Sequence, residues 1–280
     1  MPQALTTQLV DRLYAIGSVR RFLWKRWYSL LTQRLKNEDV VFLNYAYEEE
    51  PPMQIPLPAA AEVHRGSIQL YHRVASLGAL EGKTVLEVSS GHGGGAAYLM
   101  RTFRPKAYVG LDLNARGVRL CQERHTERGL TFVQGDAEKL PFADGHFDVV
   151  INIEASHCYG SFPAFLVEAE RVLAPGGMLL YADFRFAADL DTWEQQLQAS
   201  PFAVDTCLDI SPCVLRGMEA NSARSSSLVR RHLPSFLHRA GDGFAGVKGS
   251  GIYNSLRGRQ LSYRAYRLCK PASRIPASSA

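Results

Sequence analysis

A doubly wound α/β fold is predicted: a mostly parallel, seven-stranded sheet with an antiparallel edge strand and a helical cap. Three features of the sequence predict it. Five short apolar runs alternate with helical patterns between residues 84 and 184. Most runs are apolar at consecutive positions, which marks parallel strands covered on both faces. Acids stand near the ends of successive runs, where an open parallel sheet forms its ligand crevice.

Residues 5–35 space apolar and basic side chains as a helix does, with Phe22, Leu23, Trp24, Trp27, Leu30 and Leu31 on the apolar positions. VVFLNYAYEEEPP (40–52) is aromatic and ends regular structure at Pro51 and Pro52. Residues 53–61 read as an extended linker. Residues 62–78 return to helical spacing and stop at Gly78. Residues 1–80 are thus assigned to an N-terminal helical cap or lid. The cofactor-binding core, 81–185, has strands at 84–88, 107–113, 130–134, 147–153 and 178–184, with helices to about 103, over 115–127 and over 162–173. Residues 186–242 read as a helical insert contributing to the acceptor site. FAGVKG (244–249) and LSYRAYRL (261–268) are expected to pair antiparallel within a 243–270 unit that completes the sheet, before a tail over 271–280.

The chain has 280 residues, enough for one large domain or one domain with a cap. With 46% apolar and 21% charged residues it excludes a disordered or low-complexity protein. It holds no run of about 18 uncharged apolar residues, so no membrane span is predicted. Asp11 and Arg12 interrupt the apolar stretch that a secretory leader needs. Five cysteines, without a C-x-x-C pair, point to free thiols in a reducing cytoplasm, not to disulfides or zinc. Charge is uneven. Residues 1–36 carry seven Lys/Arg against one acid, residues 216–280 twelve against two, and the centre thirteen against twenty-four. An acidic centre suits a cationic ligand, or draws the basic ends onto itself. No basic cluster exceeds two residues and no recognition module is present, so nucleic acid is not an expected partner.

The strongest local signal is VLEVSSGHGGGAAYL (85–99), a buried strand running through a glycine turn into a helix. Glycines let the backbone turn sharply and approach a ligand, and the first helical amides favour an anionic group. Alone, the pattern fits an NAD-binding turn as well. Glu87 narrows it, because an acid just before the turn suits a ligand with a positive group. Asp112 ends the second strand, 25 residues on, where a carboxylate can accept both hydroxyls of a ribose. Asp136 and Ala137 follow the third, where an acid and a small residue can meet an adenine edge.

The ordered set VLEVSSGHGGG, YVGLDLN, FVQGDAEKLPFADGHFDVVINIEASHCY and RVLAPGGMLLYADF resembles the class I S-adenosylmethionine-dependent methyltransferases over about residues 85–184. The segments NYAYEEEPPM, LYHR, EASHCY, RHLPSFL and LSYRAY extend a narrower likeness, over roughly 20–270. It is to the actinobacterial O-methyltransferases of phthiotriol and phenolphthiotriol dimycocerosates. The resemblance implies a Rossmann-like fold, S-adenosyl-L-methionine as cofactor, and a small-molecule or lipid acceptor bearing a hydroxyl, such as a polyketide-derived lipid. It places Glu87, Ser89, Gly91 and Gly93 at the methionyl end of the cofactor and Asp112 at the ribose. It sets Leu113 against the adenine, Asp136 and Ala137 at the adenine edge, and Asn152 to Glu154 at the methionyl ammonium. Ser89 stands where the wide family has its first glycine, and serves there if its φ is negative.

Methyl transfer to an alcohol needs an aligned nucleophile and benefits from a base. His157, in EASHCY beyond the fourth strand, is the candidate catalytic residue. Glu154 either orients it or binds the ammonium. His92 is the second choice of base, or a turn residue covering the cofactor. Tyr45, Tyr47 and Tyr71, with Phe42 and the helical insert, are expected to line an apolar acceptor mouth. Arg20, Arg21, Lys25 and Arg26 beside Phe22, Trp24 and Trp27 suit peripheral contact with an anionic membrane, or a solvated face over a packed one. No metal ligand set is visible at recognisable spacing. An NAD-dependent oxidoreductase and a non-methylating cyclase or binding protein on the same fold remain as alternatives.

Overall fold

The computed structural model describes Arg26, residues 28–34 and residues 40–272. The expectations placed on residues 1–25, on Trp27 and on the tail from 273 lie outside the described residues.

Seven strands form one sheet: β1 (Thr84–Val88), β2 (Ala107–Asp112), β3 (Leu130–Gln134), β4 (Phe147–Ile153), β5 (Leu173–Phe186), β6 (Ala203–Asp209) and β7 (Leu261–Cys269). Their order is β3-β2-β1-β4-β5-β7-β6. The first five run parallel, and β7 inserts antiparallel between β5 and β6. Chain order reverses between β1 and β4. There the crossovers leave in opposite directions and open a crevice at the strand carboxyl ends.

The helices are α1 (Arg65–Ala75), α2 (Gly94–Phe103), α3 (Ala115–Arg124), α4 (Phe162–Val172), α5 (Leu190–Gln198), α6 (Ser211–His232), α7 (His238–Phe244) and α8 (Gly251–Arg257). Strand side chains alternate between two cores. Val85, Val149, Ile151 and Leu180 pack with Leu70, Val74 and Leu99 on one face. Leu86, Val150, Leu179 and Tyr181 pack with Phe165, Leu166 and Trp193 on the other. Each fully buried large apolar side chain contributes about 1.5–3 kcal/mol by removal from water, and this double burial is what makes the runs legible as parallel strands.

The expected strand pair over 243–270 is corrected. Residues 244–249 form no strand; Gly246 and Gly249 have positive φ, and the segment turns from α7 into α8. The second partner of β7 is β6, in a stretch expected to be helical. As the outermost strand, β6 has water on one edge and holds mostly exposed residues, so no apolar pattern marks it.

Residues 40–47 form a strap across the sheet's carboxyl end. His92 Nδ1 donates to Val40 O at 2.8 Å, and Gly94 N–H donates to Val41 O at 3.0 Å. Tyr47 N–H donates to Gly66 O at 2.9 Å. Ala46 passes between two helices at their glycines: a Cβ on Gly66 would lie 2.6 Å from Ala46 Cβ, and one on Gly217 would lie 2.3 Å from the Ala46 carbonyl. Only glycine permits so close an approach of backbones.

Candidate active site

The turn after β1 carries Ser89, Ser90, Gly91 and His92 into the crevice. Ser89 has φ 65°, so the condition set above for a serine at this position is not met. The left-handed region costs an L-residue about 1–2 kcal/mol, and a hydrogen bond between Ser89 Oγ and Tyr159 Oη at 2.8 Å offsets about half of it. Gly93 also has positive φ, 79°, and a Cβ there would collide with His125 and Phe132. Glu87 is buried behind the turn, and its two oxygens accept from Tyr71 Oη and Tyr108 Oη at 2.8 Å each. Burial pushes its pKa up to about 7 against those two bonds. His92 is engaged at both ring nitrogens, by Val40 O and by Thr32 Oγ1 at 2.9 Å, and burial lowers its pKa. It is a turn residue of the cavity wall, not a second base.

Asp112 closes the turn from the next strand. Its Oδ2 accepts Gly91 N–H at 2.9 Å and its Oδ1 accepts Asn114 N–H at 2.8 Å. Burial pushes its pKa up to about 6. The loop bearing Asp136 and Ala137 is anchored from α4. Arg171 donates to the carbonyls of Leu140 and Phe142, and Glu168 accepts Leu140 N–H at 2.7 Å.

Beyond β4, Glu154 has φ 54° and accepts from Tyr45 N–H at 3.0 Å and from Tyr263 Oη at 2.9 Å. It fastens the strap and makes no hydrogen bond to His157. Orientation of that ring comes from Asp183 at the end of β5. His157 Nδ1 donates to Asp183 Oδ1 at 2.8 Å, and the His157 backbone N–H donates to Oδ2 at 3.0 Å. Asp183 also accepts from Ser156 Oγ at 2.6 Å and faces Arg185 at 3.3 Å. Burial opposes its charge, yet His157 and Arg185 hold its carboxyl well below the usual range. Burial likewise opposes the imidazolium, but Cys158 and Asp183 beside it raise the His157 pKa. Since the ionised Asp183 can only accept, Nδ1 carries hydrogen, and the neutral ring has its basic lone pair on Nε2.

Two cavities of about 120 Å³ each adjoin here. The first is lined by Ser89, Gly91, Asp112, Leu113, Asp136, Ala137 and Glu154 of the sequence-predicted residues, and by Tyr71, expected instead at the acceptor mouth. Thr32 and Tyr28 line its far side. The second is lined by Tyr45, Met218, Leu228, Val229 and Phe244, with His64, Arg224 and His232 as basic groups. Phe42, Leu43 and Asn44 of the strap line both.

Glu87, Gly93, Asn152 and His157 line neither cavity. Glu87 reaches the first through Tyr71, and Asn152 does so by donating to Tyr159 Oη at 2.7 Å. His157 stacks on Phe184 with ring centres 4.4 Å apart, and Phe184 stacks on Tyr45 of the second cavity. Tyr47 also lines neither; it is buried with its hydroxyl donating to Glu49 at 2.7 Å, which corrects its place at the acceptor mouth. Sequence reasoning missed Tyr159 and the role of Asp183. The signal for Asp183 was present: an acid late in a parallel strand, as Glu87 and Asp112 are.

The first cavity fits S-adenosylmethionine. Its acids suit a sulfonium and an ammonium, and Asp112 keeps a second lone pair on each oxygen for ribose hydroxyls. A Cβ on Gly94 would lie 2.5 Å from the Val41 carbonyl oxygen of the strap, and Gly91 has φ 57°, where side chains are strained. Among the described residues, no three His, Cys, Asp or Glu side chains form a metal-holding group, and no helix is long and apolar enough to cross a membrane.

Residues 86–181 match the family model described as a methyltransferase domain. The chain is 51% identical over 265 residues to the phthiotriol/phenolphthiotriol dimycocerosates methyltransferase of Mycobacterium tuberculosis, covering 95% of this chain and 98% of that protein. It is 49% identical over 245 residues to the fatty-acid O-methyltransferase of Mycolicibacterium smegmatis, covering 88% and 89%. Among solved structures the cyclase SpnF superposes with a TM-score of 0.69 at 20% identity, covering 89% of this chain and 95% of that one, a likeness of fold alone.

Proposed function

The chain belongs to the phthiotriol/phenolphthiotriol dimycocerosates methyltransferase family of S-adenosylmethionine-dependent enzymes, and from that premise we propose that it methylates a hydroxyl on a long, largely apolar lipid. The observation that carries this reading is the shared wall: an acid-lined cavity and an apolar one meet at Phe42, Leu43 and Asn44. A methyl group and an acceptor oxygen held in two such cavities meet at the seam between them.

When bound, S-adenosylmethionine supplies an electrophilic methyl group on a sulfonium. In our reading Asp112 accepts the ribose hydroxyls, Leu113, Asp136 and Ala137 border the adenine, and Ser89, Gly91 and Glu154 border the methionyl end, with Glu87 acting through Tyr71. His157, which stands behind the Phe184 and Tyr45 rings that part it from the second cavity, is in this reading the base for the acceptor's hydroxyl proton at Nε2, a role worth about 10²–10⁴ in rate. Asp183 is the positioning residue that holds the ring and its tautomer. Tyr45 borders the acceptor. The enzyme works in the cytoplasm, as its free cysteines suggest.

A second acceptor class is favoured by Arg224, His64 and His232 in the apolar cavity: a fatty carboxylate, which is already an anion and needs no base. One experiment separates them. Purified enzyme with labelled methyl donor is offered a long-chain alcohol and the matching fatty acid. The alcohol is the expected acceptor, with turnover falling about 100-fold or more in His157→Ala while S-adenosylhomocysteine affinity is kept. Transfer to the acid alone, undiminished in that variant, would overturn both the hydroxyl acceptor and the base.

A further inference from the structure

Residues 220–241 contain four arginines, two histidines and no acid. They run from the middle of α6 through a 3₁₀ turn at Ser235–Leu237 into α7. The inner side of this stretch walls the second cavity with Arg224, Leu228, Val229, His232 and Leu233. Its outer side carries Phe236, which is 81% exposed, the highest value for a large apolar side chain among the described residues.

The turn that presents Phe236 is firmly built. Leu233 is buried, and its carbonyl accepts from His238 Nε2 at 2.9 Å. Leu237 N–H donates to Pro234 O at 2.9 Å. Gly241 brings α7 against the same leucine: a Cβ there would lie 2.6 Å from Leu233 Cδ1. Arg230 is held bidentate by Asp242, the first acid after the stretch, at 2.8 and 2.9 Å. Val63, itself 49% exposed, is tied to this wall through its carbonyl, which accepts from Arg224 Nη1 at 2.8 Å.

A single exposed apolar side chain is ordinary on any protein. An aromatic one between the exposed Arg231 and Arg239, on the outside of a largely apolar cavity, has the character of an interfacial anchor. We infer that this face docks on an anionic lipid bilayer, with Phe236 inserted at the boundary of headgroups and acyl chains and the exposed Arg231 and Arg239 against lipid phosphates. A lipid acceptor then passes from the bilayer into the second cavity without crossing water. The purpose of the docking rests on the lipid acceptor proposed above; the surface itself rests on charge and exposure.

The test is sedimentation of the full chain with vesicles of mixed phosphatidylglycerol and phosphatidylcholine, against phosphatidylcholine alone. Binding to the mixed vesicles only, weakened by added salt, is expected. Phe236→Ser and Arg239→Glu should each lower that binding by about tenfold. Both variants should keep the parent's thermal stability and its turnover on a short-chain, water-soluble alcohol. Three results overturn the inference: no sedimentation with anionic vesicles, variants that sediment like the parent, or variants that lose turnover on the soluble alcohol as well. Vesicle binding is read without turnover, so it is decided separately from the acceptor.

Discussion

At the scale of single residues, the pairing of His157 with Asp183 makes the sharpest claim. A base must be neutral to accept a proton, and Asp183 raises the imidazole pKa. Turnover should therefore climb with pH through a value above the ordinary 6.5 of histidine. Asp183→Asn removes the carboxylate, so the climb should move to lower pH while maximal turnover falls. A pH–rate profile checks this: a loss of turnover with the limb unmoved would make Asp183 merely structural. The same pair ties stability to pH. The imidazole's contribution is full below its unfolded pKa and is lost as pH rises through the raised folded value, while that of Asp183 is lost only in strong acid, where its lowered carboxyl protonates.

Among elements, glycines decide how closely helices and strap approach the sheet. A Cβ on Gly95 would lie 1.9 Å from the Tyr71 ring, the ring that bonds Glu87 and faces the first cavity. Gly95→Ala should lower stability by about 1–3 kcal/mol through overpacking and weaken S-adenosylhomocysteine binding. Gly217→Ala presses on Ala46 of the strap and should raise the acceptor KM more than the cofactor Kd. Gly243→Ala meets nothing within 4 Å and serves as the neutral control. Urea melts with isothermal titration separate the three, and a Gly95→Ala protein with parent affinity would remove Tyr71 from the cofactor wall. The parallel strands were legible because burial on both faces leaves an unbroken apolar run. β6 was not, because an edge strand with exposed side chains has no such constraint.

For the whole molecule, cofactor binding and folding are linked. S-adenosylhomocysteine at about 100 times its Kd adds about 2.7 kcal/mol to stability, a rise of about 5–10 °C in Tm for a chain of this size. Asp112 accepts ribose hydroxyls best when ionised, and burial holds its pKa at about 6. The thermal gain should shrink as pH falls through 6, and Asp112→Ala should abolish it. A gain that is constant from about pH 5 to pH 8 would remove Asp112 from the ribose.

The five parallel strands, the turn after β1 and the acids at the strand ends are legible in the amino-acid sequence, because local backbone chemistry and burial period write those features into contiguous residues. The sequence also carried the family likeness, and with it the cofactor. Packing alone shows that Asp183 and not Glu154 holds His157, that Tyr71 lines the first cavity, and that Tyr47 lines neither. His157 and Asp183 stand 26 positions apart, and Glu154 and Tyr45 109; a side chain's partner across such a distance is set by how the elements pack, which no local pattern records.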